Sequence, residues 1–179
     1  MVVYATTDGY TRKVALRVAG WCNSLEATAD VVDSAELPVG LNLSEYTAFI
    51  LAGSVHESNH QRSLVEFVSE HAKELGRVPS AFLSVSLSAV TQDDKHRADA
   101  QRCIEAFFET TGWTPTVSTP VAGALLYTQY HWLKRTTMKA ISAKQGGDTD
   151  TTRDFEYTDW GALEVFVTEF VKVRVAVAT

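Results

Sequence analysis

A loop rich in hydroxyl side chains follows the first apolar run of the chain and could bind a phosphate group. It consists of Thr6, Thr7, Asp8, Gly9, Tyr10 and Thr11. The loop precedes apolar residues spaced as one face of a helix, and the unpaired N–H groups at a helix start carry partial positive charge. With one glycine and no lysine, the loop is neither a P-loop nor the three-glycine dinucleotide fingerprint. The sequence predicts a site for the phosphate monoester of a mononucleotide; the alternative is a turn in which Thr11 caps the helix.

Two further loops rich in small polar residues follow predicted strands. The first begins with Gly53, Ser54, Val55 and His56 and continues to His60. The second consists of Ser84, Val85, Ser86, Leu87 and Ser88. Ligands of open parallel sheets bind beyond the carboxyl ends of the strands. We therefore expect the three loops to form a slot whose backbone amides contact the polar rim of a planar ring.

Histidines, cysteines and serines offer no second site of comparable specificity. His56 and His60 lie in a predicted ligand loop, but their spacing alone does not make a metal site, and no metal is predicted. The serines lack a nucleophile-elbow pattern, which argues against a hydrolase. Cys22 and Cys103 are interpreted as small core residues in a reducing compartment. We name no catalytic side chain from the sequence.

The elements that must position these loops alternate between strand and helix along the whole chain. Strands are predicted at 2–6, 31–33, 47–52, 81–85 and 117–126, the last one broken or bulged at Pro120 and Gly123. Helical spacing follows each of the first, third and fourth strands, and a last helix is predicted at 159–173. This alternation predicts an α/β fold with a five-stranded, doubly wound parallel sheet in three layers. An insert at about 127–157, with a basic helix near 132–144, is too long for a plain connection.

Size and charge limit the classes of protein. The 179 residues are enough for one domain, predicted to span 1–179, with a core that needs no disulfide or metal. The net charge of -6 argues against nucleic acid as a partner. No apolar run approaches the roughly 18 residues of a transmembrane helix. Because the first strand begins at Val2, we expect no signal sequence and a cytoplasmic protein.

Four segments together carry a resemblance to a known family. They are ATTDGYT at the start, PSAFLSVSL after the fourth strand, VAGALLYTQYHWLKR entering the insert and GGDTDTTRDFEYTDW leaving it. In this order, and with the insert between the last two, the chain resembles the flavodoxin-fold, menaquinone-dependent protoporphyrinogen oxidases of bacteria. The resemblance covers nearly the whole chain.

The resemblance implies a flavodoxin-like sheet in the order 2-1-3-4-5 and an enzyme that uses FMN as its cofactor. Such an enzyme removes hydrogens from protoporphyrinogen IX during haem synthesis and passes electrons to a quinone. Carried over by position, 6–11 would hold the phosphate, 84–88 would border the flavin ring and the insert up to Thr151 would complete the pocket. The loop at 53–58 takes the place of the one whose backbone meets the reactive flavin nitrogen.

The chain also departs from the family pattern. The loop VHESNH has no aromatic residue that could stack on the flavin. Either His56 or Tyr127 would take the place of that ring, or neither residue contacts the flavin. The basic residues of the insert would attract an anionic membrane surface or the propionates of a porphyrin, or else form a solvated helix face; they are Lys134, Arg135, Lys139 and Lys144. The expected location is thus the cytoplasm, with peripheral contact at the inner face of the membrane, and a homodimer is compatible with the sequence. Two alternatives remain at this point, a flavodoxin-like electron carrier and a degenerate, cofactor-free interaction module.

Overall fold

A parallel sheet forms the centre of the protein. The structure, a computed structural model, describes residues 1–90, 94–144 and 147–175. The sheet strands are β1 (Val2–Ala5), β2 (Val31–Asp33), β3 (Phe49–His56), β5 (Ser80–Ser86) and β6 (Val117–Ala122), and the two-residue strand β4 (Asn59–His60) folds back on β3. The five parallel strands lie in the order β2-β1-β3-β5-β6. Since β4 only returns antiparallel to β3, this is the 2-1-3-4-5 order of the principal strands, and the expected fold is confirmed.

Helices cover both faces of the sheet and complete the three layers. They are α1 (Tyr10–Ser24), α2 (Arg62–Leu75), α3 (Asp94–Thr111), α4 (Trp132–Lys144) and α5 (Trp160–Glu169), and the last continues as a π-helical turn, Phe170–Val175. Alternate strand residues point to opposite faces. Val2, Ile50 and Leu83 pack with α1 and α5, whereas Val3 and Phe82 pack with α2 and α3.

The structure corrects two predictions about the strands, the end of β3 and the break at Pro120. β3 continues past Ala52 to His56 because Ser54 pairs with Val85 and Val55 pairs with His60, although this stretch is not apolar. The expected break at Pro120 is wrong. β6 is an edge strand that pairs only with β5 in the described sheet, so one side of β6 makes no ladder hydrogen bonds. A proline whose nitrogen points to that free side costs the sheet no hydrogen bond. The break falls at Gly123, as expected.

The insert folds as a ribbon and a helix held together around one aspartate. Its strands β7 (Ala124–Leu125) and β8 (Phe155–Glu156) pair antiparallel, and α4 lies between them in the chain. The backbone carbonyl of Asp148 accepts hydrogen bonds from Tyr127 Oη at 2.8 Å and Ser142 Oγ at 2.7 Å. Its carboxylate accepts one from Tyr157 Oη at 2.7 Å. The helix was predicted from the sequence, and the ribbon was not.

The basic face expected on α4 is described only in part. Arg135 is half-buried and donates from Nη2 to the backbone carbonyl of Tyr130 at 3.2 Å, while Lys139 is exposed. The side chains of Lys134 and Lys144 lie outside the described part of the structure. None of the described helices is both long and apolar enough to span a bilayer.

Candidate functional site

A pocket lies at the carboxyl edge of the sheet, where the loops after β1, β3 and β5 meet the insert. The first loop contributes Thr6, Thr7, Asp8, Tyr10 and Thr11. The ends of β3 and β5 contribute Ser54, Val55, His56, Val85, Ser86 and Leu87. The lining is completed by Gly123, Ala124 and Leu126, which follow β6, and by Tyr130 and Met138 of the insert. The structure thus brings the three sequence-predicted loops to one place, as expected for an open parallel sheet.

The first loop presents a helix start to this pocket. Gly9, with φ of +84°, is the N-cap residue of α1 and provides no side-chain cap, and its N–H donates to Thr6 Oγ1 at 2.9 Å. Thr11 lies inside the helix rather than at its cap, so the alternative in which Thr11 caps a plain turn does not describe this loop. Its side chain is fully buried, and its hydroxyl has no hydrogen-bond partner within the described residues. A buried hydroxyl without a partner is costly unless a ligand supplies one.

A second buried hydroxyl without a partner in the described residues lines the same pocket. Ser86 Oγ, at the end of β5, has no hydrogen-bond partner among the residues that the structure describes. Thr11 and Ser86 thus supply two protected polar groups, on separate loops, that line a common space. Buried polar groups of this kind fix the orientation of a small ligand in a mostly apolar pocket.

Gln61 connects two of the three loops. Its Nε2 donates to Thr7 Oγ1 at 3.1 Å and to Ser54 Oγ at 2.5 Å. Its Oε1 is buried and has no partner in the described part of the chain. Sequence analysis missed this residue, although its place directly before α2, at the end of a predicted ligand loop, was a signal that could have indicated it.

Gly53 and Ser84 support the pocket from behind rather than lining it. A Cβ atom at Gly53 would lie 2.7 Å from Leu64 Cδ2 and 3.0 Å from His60 Cδ2, so side-chain packing requires the glycine there. His60 is buried, and its Nε2 lies 3.0 Å from Ser84 Oγ. Burial lowers the pKa of His60 to about 4, because the charged imidazolium loses its hydration. His60 is therefore a neutral structural residue at neutral pH.

Several other sequence-predicted site residues do not line the pocket. Gly9, Ser88 and Thr151 are outside its lining, although Gly9 shapes the first loop. Tyr127 is fully buried, with its hydroxyl bound to the Asp148 carbonyl and its ring against Tyr130 and Phe155. His56, by contrast, is exposed and lines the pocket.

The insert contributes side chains that sequence analysis did not single out. Tyr130 and Met138 close one side of the pocket, and burial raises the pKa of the Tyr130 phenol, as do the carboxylates of Asp8 and Asp154. The pocket volume is about 90 Å³, below the roughly 300 Å³ from which small-molecule pockets typically start. A mononucleotide would therefore extend beyond this pocket.

The strand order, the helix start in the first loop and the pocket beyond the carboxyl ends define a flavodoxin-like α/β protein. Flavodoxin 1 from Bacillus cereus shares this fold, with a TM-score of 0.52 at 15% identity over 96% of each chain. A family model described as Flavodoxin domain matches residues 1–152. The chain belongs to the flavodoxin-domain family.

Two curated relatives extend the similarity beyond the family domain. The protoporphyrinogen IX dehydrogenase [quinone] of Leishmania major is 31% identical over 178 residues, which cover 99% of this chain and 76% of that protein. The protein of the same name from Escherichia coli strain K12 is 33% identical over 171 residues, covering 94% of this chain and 92% of that protein. Both alignments include the insert. The chain is a flavodoxin-like oxidoreductase.

Proposed function

We propose that the protein is a single-domain, FMN-dependent oxidoreductase that dehydrogenates protoporphyrinogen IX or a closely related porphyrinogen and passes the electrons to a quinone. The observation that carries the proposal is the pocket itself. Three loops and the insert surround two buried hydroxyl groups, on Thr11 and Ser86, that have no partner among the described residues. The names of the two curated relatives support the substrate and the acceptor.

The residues of the pocket fit FMN. The start of α1 would hold the phosphate, with the backbone N–H groups and the Thr7 and Thr11 hydroxyls as donors and the positive end of the helix dipole facing the dianion. The isoalloxazine ring would lie against Ser54, Val55 and His56 and against Val85, Ser86 and Leu87. The bound cofactor supplies the redox chemistry, and these residues bind it, orient it and exclude water from one side.

The insert favours an enzyme over a simple electron carrier. An electron carrier needs an exposed flavin edge and a docking surface for protein partners. Here Tyr130 and Met138 of the insert line the pocket, so a second small molecule would meet the insert beside the ring. The exposed Lys139 on α4 supplies positive charge for the propionates of a porphyrinogen or for an anionic membrane surface.

The test begins with visible absorbance of the purified protein before and after addition of FMN, followed by anaerobic assays with protoporphyrinogen IX and menaquinone. We expect a flavin spectrum and multiple turnovers that require the quinone. A protein that binds no FMN would contradict the proposal and favour a cofactor-free interaction module. FMN binding with stoichiometric reduction by a reductase, but no porphyrinogen turnover, would favour an electron carrier.

A further inference from the structure

We propose that Gln61 sets the direction of the hydrogen bonds in the pocket, so that the hydroxyl groups of Thr7 and Ser54 both donate to the bound cofactor. Gln61 is a positioning residue in this role, because it acts through the two hydroxyl groups. The proposal rests on the proposed binding of FMN and adds a determinant of its affinity and reduction potential.

The geometry places one amide between the two ends of the pocket. Gln61 Nε2 lies 3.1 Å from Thr7 Oγ1 in the first loop and 2.5 Å from Ser54 Oγ in β3. Thr7 and Ser54 both line the pocket. Thr7 belongs to the loop proposed to hold the phosphate, whereas Ser54 belongs to the strand end proposed to border the ring. A single side chain therefore holds both loops in register.

The hydrogen-bonding capacity of each group fixes the direction. The NH₂ group of a glutamine has two donors and no acceptor, so both hydroxyl oxygens accept from Gln61. Each hydroxyl has one proton, which then remains for another acceptor. A phosphate dianion offers only acceptors, and an oxidised flavin offers acceptors at N1, N5 and its two carbonyl oxygens, with N3–H as its one ring donor. Thr7 and Ser54 are thereby prepared as donors before the cofactor arrives.

Gln61 also has an unused acceptor of its own. Oε1 is buried and has no partner within the described residues. A buried amide oxygen left without a donor is costly in a protein interior. Gln61 itself does not line the pocket, so its effect on the cofactor passes through Thr7 and Ser54.

This role matters because the first loop contains no lysine or arginine. The phosphate must be held by neutral donors, so the number of donors that point at it determines the affinity. A carboxylate at position 61 accepts and cannot donate, so Gln61→Glu would turn both hydroxyl protons away from the cofactor. Gln61→Leu would remove the contact without imposing the opposite direction.

The experiment measures the dissociation constants of FMN and of riboflavin, which lacks the phosphate, for the wild type, Gln61→Leu and Gln61→Glu. We expect Gln61→Leu to weaken FMN binding about tenfold, as for the loss of one or two hydrogen bonds, and Gln61→Glu to weaken it by roughly a hundredfold. Riboflavin binding should also weaken in Gln61→Glu, because Ser54 no longer donates to the ring. Repulsion between a carboxylate and the phosphate alone would leave riboflavin binding unchanged and would contradict the proposal.

The reduction potential gives a second measure. A donor from Ser54 to a carbonyl oxygen of the ring stabilises the more electron-rich reduced flavin, so we expect a more negative midpoint potential in Gln61→Glu, where the Ser54 proton points away from the ring. The matched control is Gln101→Leu, since Gln101 is exposed on α3 and donates to Glu105 at 3.0 Å. It should keep the wild-type potential and both wild-type affinities. A loss of stability by itself would not shift the potential of the flavin that remains bound.

A double-mutant cycle keeps the proposal testable if a Gln61 variant folds poorly. Thr7→Val should weaken FMN binding in the wild type and have little further effect in Gln61→Glu, where the Thr7 proton already points elsewhere. Equal effects of Thr7→Val in both backgrounds would overturn the proposal, as would wild-type affinities in both Gln61 variants. If neither Gln61 variant folds, Thr7→Val and Ser54→Ala in the wild type decide, and unchanged FMN binding in both would overturn it. If the wild type binds no FMN, the proposed function fails instead.

Discussion

His60 and Ser84 join the hairpin after β3 to the neighbouring strand β5. His60 Nε2 lies 3.0 Å from Ser84 Oγ, and both side chains are buried. The imidazole also packs against the rings of Phe82 and Phe107, with centroid distances of 5.2 and 4.8 Å. Since the same hairpin carries Ser54 and His56 to the pocket, the contact fixes the position of the loop behind the proposed ring site.

The His60 contact predicts a loss of stability at acidic pH. Burial lowers the pKa of folded His60 to about 4, whereas an exposed histidine has a pKa near 6.5. The unfolded chain therefore binds the proton more readily than the folded chain. The stabilisation that neutral His60 gives the folded state is complete above about pH 6.5 and is lost as the pH falls toward 4. The slope is up to about 1.4 kcal/mol per pH unit. Urea unfolding across this range should give a steeper fall of stability with falling pH in the wild type than in His60→Gln, where position 60 no longer titrates; equal slopes would contradict the prediction.

Gly53 should not tolerate a side chain. A Cβ atom there would approach Leu64 Cδ2 to 2.7 Å, and Leu64 is fully buried. We expect Gly53→Ala to lower the free energy of unfolding by about 1 to 3 kcal/mol, as for other overpacked cores. Gly20→Ala is the matched control, because Gly20 is exposed on α1 and no described neighbour lies within 4 Å of the position that its new methyl group would take. It should raise stability by up to about 1 kcal/mol. Equal stability of Gly53→Ala and Gly20→Ala would contradict the prediction and show that the Leu64 side chain moves aside without a loss of stability.

Substitution of Thr11 should have opposite effects on the stability of the protein and on its affinity for FMN. Its buried hydroxyl has no partner within the described chain, so Thr11→Val should leave the cofactor-free protein equally stable or more stable. The same change should weaken FMN binding about tenfold or more, because the phosphate loses a donor. Fluorescence titration and urea unfolding measure the two quantities.

The control for Thr11 is Thr111→Val. Thr111 is also buried, but its hydroxyl donates to the Phe107 carbonyl at 2.8 Å, far from the pocket lining. This variant should lose about 1 kcal/mol of stability and keep the wild-type FMN affinity. If Thr11→Val also lost stability and kept its affinity, the hydroxyl would have a structural role only.

Local patterns in the sequence were enough to predict the pocket loops, but not the contacts between them. The run before Thr6 and the helical spacing after Thr11 indicate strand, turn and helix in one short stretch. The strand order came from the resemblance, because periodicity does not specify which strands are neighbours. The error at Pro120 has another cause, because the missing N–H of a proline was expected to interrupt the strand, whereas an edge strand such as β6 tolerates it.

Residues that act through distant partners were the hardest to predict. Gln61 lies 54 positions from Thr7, and no local pattern links the two. Tyr130 and Met138 belong to an insert whose fold depends on Asp148, a residue that contacts both its helix and its ribbon ends. The similarity to known sequences indicated that the insert contributes to the pocket, whereas the side chains that do so required the structure.

From the hydrogen bond between Tyr157 and Asp148 we predict that the insert controls release of the cofactor. Its hydroxyl donates to Asp148 Oδ2 at 2.7 Å, and Asp148 holds the insert that carries Tyr130 and Met138 to the pocket. Tyr157→Phe should lower stability by about 1 kcal/mol and accelerate FMN dissociation, because a looser insert opens the mouth of the pocket. Tyr46→Phe is the matched control. The Tyr46 hydroxyl donates to Asp30 Oδ2 at a distance of 2.9 Å, and neither residue lines the pocket. Stopped-flow fluorescence should show faster dissociation in Tyr157→Phe than in Tyr46→Phe, and equal rates would mean that the insert does not gate the cofactor.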